Sequence, residues 1–127
     1  MKTGREVHIL VVEDDLEMRN LLEKILSKGG YRISAASNGF EALKRIGEEP
    51  VDLVITDMLM PEMGGMRLLE EIKGAHPEKK VIMITAFGDW GSYSHAMDLG
   101  VFEFISKPLK MTELLEAVER ALEARIP

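Results

Sequence analysis

The sequence predicts an α/β domain: one parallel five-stranded sheet with helices on both faces. Three observations carry this expectation. Short apolar runs alternate regularly with amphipathic stretches along all 127 residues, the pattern of strand–helix–strand crossovers. The runs themselves are strand-length and apolar, as in sheets covered on both faces. Glycines and prolines punctuate the ends of the amphipathic stretches, where helices stop.

The first strand is expected at about His8 to Val12. The helix after it carries Leu21, Leu22, Ile25 and Leu26 on one face and ends near Gly29-Gly30. The second strand runs from about Tyr31 to Ala36. Asn38, with Glu41 three residues on, resembles a capping box in which Asn replaces the usual Ser or Thr. The helix it opens carries Ala42, Leu43 and Ile46 and stops before Pro50. The third strand is placed at about Asp52 to Thr56. Met60-Pro61-Glu62-Met63-Gly64-Gly65 reads as a loop, and Leu68, Leu69 and Ile72 then mark a helix closed near Gly74 and Pro77. A fourth strand at about Lys80 to Ile84 leads to a weaker helix over Trp90 to Leu99, capped by Gly100. A short fifth strand at about Phe102 to Ile105 precedes a last helix with Leu114, Leu115, Val118 and Leu122. There is no linker, low-complexity tract or internal repeat, so residues 1–127 read as a single domain, long enough to close a core without staples.

Composition narrows the function classes. Zero cysteines exclude a disulfide framework, a zinc–thiolate site and thiol catalysis, and fit a cytosolic protein at least as well as an exported one. A net charge of −6 argues against gripping nucleic acid through a basic face. Met1 to Glu6 contains no apolar targeting segment, and no stretch approaches membrane-spanning length.

In open α/β sheets ligands bind beyond the carboxyl ends of the strands, where the strand order reverses; for the order 2-1-3-4-5 that point lies between the first and third strands. Asp14 and Asp15 follow the first strand, and Asp57 follows Leu53-Val54-Ile55-Thr56. Thr85 follows the fourth strand, and Lys107 stands just beyond the fifth. In a parallel sheet these residues converge. The three carboxylates offer hard oxygen ligands to Mg²⁺, which favours a few carboxylates, waters and phosphate oxygens. A carboxylate such as Asp57 can attack phosphorus to give an acyl phosphate. Lys107 supplies a second cation, Thr85 a hydroxyl for a phosphate oxygen, and Ala86 leaves space above them. Phosphoryl transfer asks mainly for positioning and charge neutralisation. Taken singly, each residue has a plainer use. The Asp pair suits a helix N-cap, Thr85 a strand end and Lys107-Pro108 a turn. Met58, Met60, Met63 and Met66 suit packing. His8, His76 and His95 lack ligand spacing and read as structural or solvent-facing. The conjunction of correctly typed groups at successive strand ends favours a site.

Val11-Val12-Glu13-Asp14-Asp15, Asp57-Met58-Leu59-Met60-Pro61-Glu62-Met63-Gly64-Gly65, Thr85-Ala86 and Lys107-Pro108 occur in an order and spacing that resemble the receiver domain of bacterial response regulators. The resemblance covers nearly the whole chain. It implies a flavodoxin-like three-layer sandwich, strand order 2-1-3-4-5 with five helices. It implies that Asp57 takes a phosphoryl group from a histidine kinase or phosphotransfer protein. Mg²⁺ or Mn²⁺ would be held by Asp14, Asp15, Asp57 and the backbone carbonyl of Leu59, with Asp14 acting partly through water. Thr85 and Phe104 would form the switch pair, Lys107 would hold the phosphoryl group, and the Lys107–Pro108 peptide would be cis. Such a domain catalyses only its own phosphorylation and dephosphorylation, changes its output surface, and is cytoplasmic. The resemblance also allows a homodimer through the fourth helix, fifth strand and fifth helix. Neither nucleic acid nor membrane is expected as a direct partner.

Two departures stand out. Leu59 and Phe87 occupy positions that are often polar in the family; both are bulky and apolar, so they are expected to shield the acyl phosphate from water, the plainer alternative being that both point away and merely pack. Lys110 stands where a short capping residue is usual, with Thr112 as the alternative cap. Gly88 and Gly91, flanking Asp89-Trp90, suit a mobile loop or a plain turn equally well. Rival functions fit less well. A haloacid-dehalogenase-type aspartyl-phosphate phosphatase or phosphotransferase also uses an Asp nucleophile and Mg²⁺, but it needs Asp-x-Asp, and Leu59 breaks that pattern. It also needs a cap insertion, which is missing here. A flavin or nucleotide binder needs a Gly-rich or hydroxyl-rich loop after the first strand, where this chain is acidic. The complete residue set opposes a degenerate receiver that serves only for docking.

Overall fold

In the computed structural model, the described residues 7–60, 62–86 and 90–123 alternate strand and helix. The order is β1 (His8–Val12), α1 (Leu16–Lys28), β2 (Arg32–Ala36), α2 (Gly39–Glu48), β3 (Leu53–Asp57), α3 (Gly65–Ala75), β4 (Lys80–Thr85), α4 (Trp90–Leu99), β5 (Glu103–Ser106) and α5 (Met111–Glu123). All strand pairs are parallel and the sheet runs β2-β1-β3-β4-β5, the expected order.

Side-chain alternation on the strands divides the core in two. Leu10, Val12, Val54, Val81 and Met83 face a layer made by α2, α3 and α4, represented by Ala42, Ile46, Leu68, Leu69, Ile72 and Ala96. Ile9, Val11, Leu53, Ile55, Ile82 and Ile84 face Leu22, Ile25 and Leu26 of α1 and Leu114, Ala117 and Val118 of α5. Every residue of β1 and β3 is buried, whereas the outer strands β2 and β5 are partly exposed.

Three strands extend one residue further at their carboxyl ends than the sequence indicates, to Asp57, Thr85 and Ser106. The cause at the start of β3 is visible. Asp52 leaves the ladder to close the turn, its carboxylate accepting from the His8 amide at 2.8 Å while its own amide donates to the His8 carbonyl at 2.8 Å. Asp57 and Thr85 are therefore ladder residues, in register with Ile84 and Ser106 respectively.

The helix ends follow local chemistry. Asp15 caps α1, accepting from the Met18 amide at 2.9 Å. Asn38 caps α2, accepting from the Glu41 amide at 2.8 Å, but Glu41 reaches back to the Ser37 amide at 2.6 Å, one residue further than a capping box requires. Thr112 does not cap α5: it is the second residue of the helix, and the carbonyl of Lys110 accepts from the Leu114 amide at 3.0 Å. Gly100 ends α4 with φ at 96°, a conformation that favours glycine.

Gly65 marks the closest approach of a helix to the sheet edge. A Cβ there would lie 2.2 Å from the backbone oxygen of Asp57. Gly47, also helical, has nothing within 4 Å of the corresponding position. Gly65→Ala should therefore destabilise the domain by about 1–3 kcal/mol through overpacking. Gly47→Ala should stabilise it by up to about 1 kcal/mol through helix propensity. Urea unfolding of the two variants beside the parent chain checks both signs.

Candidate functional site

The switch point between β1 and β3 gathers the acidic residues. Glu13, Asp14 and Asp57 each offer a carboxylate oxygen, and the three lie within 4.8 Å of one another. Glu13 and Asp57 are buried and Asp14 is exposed. The Glu13 backbone is pinned on both sides: its amide donates to Ala36 O at 3.0 Å, and Arg19 Nη1 donates to its carbonyl at 2.9 Å. Its carboxylate accepts from the Asp15 amide at 3.1 Å. Asp57 meets its cation across the sheet edge, with Lys107 Nζ 3.3 Å from Oδ2. The Lys107–Pro108 peptide is cis, as expected.

The cluster differs from the sequence expectation at one position. Asp15 does not join it. Because β1 stops at Val12, only Glu13 and Asp14 remain at the sheet edge, and Asp15 is already the N-cap of α1, with its carboxylate turned to the Met18 amide. Glu13 takes the expected place. The signal was present in the sequence: Glu13 is the first polar residue after the apolar run, and an Asp immediately before an amphipathic helix is a preferred cap.

The electrostatics follow from burial. Burial pushes the Glu13 carboxyl up to about 7, and the charge of Asp57 with a hydrogen bond shared between the two side chains acts in the same direction. The Asp15 amide and the Lys107 charge pull it down. A crowded set of hard oxygen donors, one of them pushed toward its protonated form by burial, is compatible with a divalent cation.

The other expected residues are placed as follows. Thr85, buried, ends β4. Phe104, half-buried, pairs with Met83 and packs on the same core layer, so in the strand alternation Thr85 and Phe104 fall on one face of adjacent strands. The Phe104 ring stacks on Tyr93 of α4 with centroids 5.4 Å apart. The Leu59 side chain is 62% exposed, beside a groove of about 470 Å³ also lined by Met58, Gly64, Met66 and His95. Phe87, Gly88, Asp89 and Pro61 lie outside the described residues, as does the side chain of Trp90. Met63 is buried, and Met58, Met60 and Met66 pack against the core, which bears out their reading as packing residues. His8 is structural: Nδ1 lies 2.8 Å from Pro50 O and Nε2 2.7 Å from Ser34 Oγ, at the opposite end of the sheet from Asp57.

Comparisons with known proteins agree with this geometry. The profile of the response regulator receiver domain matches residues 9–119. The chemotaxis protein CheY of Listeria monocytogenes is 38% identical over 114 residues, 89% of this chain and 96% of that protein. The transcriptional regulatory protein GlrR of Escherichia coli is 39% identical over 97% of this chain, which spans only 28% of that relative's length. Among solved structures, a receiver domain protein from Clostridium thermocellum superposes with a TM-score of 0.89 at 34% identity, covering 94% of this chain and 96% of its own. A CheY-like receiver domain protein from Methanospirillum hungatei gives 0.91 at 29% identity, covering 95% and 97%. With a buried carboxylate beside a lysine and an acidic pair at the switch point of a 2-1-3-4-5 sheet, the chain belongs to the response regulator receiver domain family, the phosphoacceptor modules of two-component signalling, which catalyse only their own phosphorylation and dephosphorylation.

Proposed function

We propose that Asp57 is the phosphoacceptor and that Glu13, Asp14, Asp57 and the Leu59 carbonyl hold Mg²⁺, with Mn²⁺ as a substitute. The observation that carries this reading is the meeting of Glu13, Asp14 and Asp57 with the Lys107 ammonium at 3.3 Å, all at one sheet edge. The donor is a phosphohistidine on a histidine kinase or phosphotransfer protein. An Asp57 carboxylate oxygen attacks phosphorus, the P–N bond breaks, and the imidazole nitrogen keeps the electron pair. The cation supplies charge neutralisation for the incoming phosphoryl oxygens. Lys107 takes a share of the same charge, and Thr85 donates its hydroxyl to a phosphoryl oxygen.

In this reading Thr85 moves toward the phosphoryl group and Phe104 turns inward, so the surface of α4, β5 and α5 changes. Support comes from their adjacent strands and shared face, and from the half-buried start point of Phe104. The same surface carries exposed Tyr93 and Met97 and an Arg120–Glu103 ion pair, with Nη2 2.5 Å from Oε2, and we assign it to homodimer contact. The chain's charge of −6 supports a domain that does not itself bind nucleic acid, and its lack of cysteine fits a cytoplasmic setting.

Asp57→Asn should keep the fold and abolish phosphate uptake from acetyl phosphate with Mg²⁺, as read by intact mass. Undiminished uptake in the variant would refute the assignment. Glu13→Gln should weaken Mg²⁺ binding by about tenfold or more, measured calorimetrically. Asp15→Ala should bind as the parent does while losing about 1 kcal/mol of stability with its helix cap.

Metal-free protein should also show a definite pH dependence. The Glu13 carboxyl rises from 4.5 to about 7 on folding, so between those values the folded chain binds more protons than the unfolded one. Its contribution to stability is complete below 4.5 and is lost as pH rises through about 7. Chemical unfolding in chelator should show the parent losing stability across this window relative to Glu13→Gln, and parallel curves would count against the buried proton.

A further inference from the structure

We infer that Tyr93 on α4 is a positioning residue for the switch: its ring holds Phe104 in the outward position and so restrains the domain from its phosphorylated conformation. This inference rests on the reading that Phe104 turns inward when Thr85 engages the phosphoryl group.

Phe104 is half-buried, packed at once against the edge of one core layer and against a ring at the surface. Inside is the core layer with Met83, its register partner, and Ala96 of α4. Outside is Tyr93, whose ring stacks on Phe104 at 5.4 Å between centroids and 28° between planes. Tyr93 is itself 41% exposed, so the pair lies at the protein surface. A ring that turns inward leaves that stacking distance. The stack therefore favours one state only, and a contact with differential strength shifts a two-state equilibrium by that difference. An aromatic pair of this geometry changes such an equilibrium by about two- to twelve-fold. If only the inward state places Thr85 for the phosphoryl group, the rate of phosphorylation by a small donor scales with the population of that state. Tyr93 thus sets the resting level of the switch without touching the reacting atoms. The relevant group is the ring face, so loss of the hydroxyl alone leaves the restraint in place.

The experiment measures phosphate uptake from acetyl phosphate with Mg²⁺ by intact mass over time, with far-UV circular dichroism as the fold check. Tyr93→Ala should be phosphorylated about two to twelve times faster than the parent. Tyr93→Phe, which keeps the ring, should restore most of the parent rate. In a Phe104→Leu background, Tyr93→Ala should add nothing, because the partner ring is gone. Should Tyr93→Ala lose its fold, Tyr93→Leu, which keeps apolar bulk without an aromatic face, is read in the same way. An unchanged or slower rate in the folded variant overturns the inference, as does an equal acceleration in the Phe104→Leu background. A parent chain that takes up no phosphate defeats the switch reading and this inference together. A parent that is phosphorylated at Asp57, with a Tyr93→Ala rate no higher than its own, defeats this inference alone.

Discussion

Like charges repel, and at the carboxyl ends of β1 and β3 the repulsion has to be relieved before the domain can be stable. Glu13 and Asp57 are both buried, with oxygens no more than 4.8 Å apart. Two full charges at that spacing repel by roughly 3 kcal/mol at an effective dielectric constant of about 20, a sizeable part of the ~5–15 kcal/mol that holds a typical domain together. Burial favours a proton on Glu13, the Lys107 ammonium lies beside Asp57, and the oxygen set is compatible with a divalent cation. Phosphorylation changes the balance again. In the proposed reading it removes the charge from the Asp57 carboxylate and sets nearly two charges on the phosphoryl oxygens slightly further out. The same crowding that costs stability in the resting chain thus favours positive charge at the site.

Most of the fold was legible because the signals are local and redundant. β1 and α4 fall where the apolar runs place them, and Gly29, Gly100 and Asn38 sit at helix ends as their chemistry dictates. The order of the strands is a property of crossovers rather than of any one residue, and for doubly wound sheets only a few orders recur. Asp57 and Thr85 stood out as candidates because each directly follows a strand-like run, and Lys107 because it stands two residues beyond Ile105. Glu13 was passed over although β1 ends at Val12 as expected: two adjacent aspartates draw attention away from a glutamate, and the cap preference of Asp15 was set aside in favour of a site. Element ends slipped elsewhere, with β3, β4 and β5 each reaching one residue further than the apolar runs indicate, because sequence patterns rarely fix element ends that closely. Two further features have no sequence signal: the left-handed backbone of Glu62 at φ 66°, and the Tyr93–Phe104 stack, which joins residues brought together only by packing α4 on β5.

Stability and function occupy opposite ends of the sheet. At the amino ends of the strands, His8 is tied to Pro50, Ser34 and Asp52 by side-chain and main-chain hydrogen bonds, so β1, β2 and the α2–β3 turn close on one another. Lys79 Nζ adds a bond to Val51 O at 2.9 Å, and Lys73 Nζ one to Lys79 O at 2.6 Å. These contacts satisfy backbone groups where the chain turns, and none involves the acidic cluster. A domain anchored in this way can tolerate a strained distribution of charge at its other end.

The ladder does not stop where the strands do. Met58 N donates to Ile84 O at 2.9 Å and Lys107 N to Thr85 O at 2.8 Å, so the main chain on either side of Asp57 and Thr85 is stitched to its neighbours. Moving that backbone would mean breaking the sheet edge, a slow event that hydrogen exchange would record as local unfolding. Side-chain rotation needs no such opening, although with Thr85 buried and Phe104 half-buried it depends on the packing around them. In the proposed reading, a relay of side-chain rotations at Thr85 and Phe104 leaves this stitched backbone in place, so the duration of its signal is set by the chemistry at Asp57.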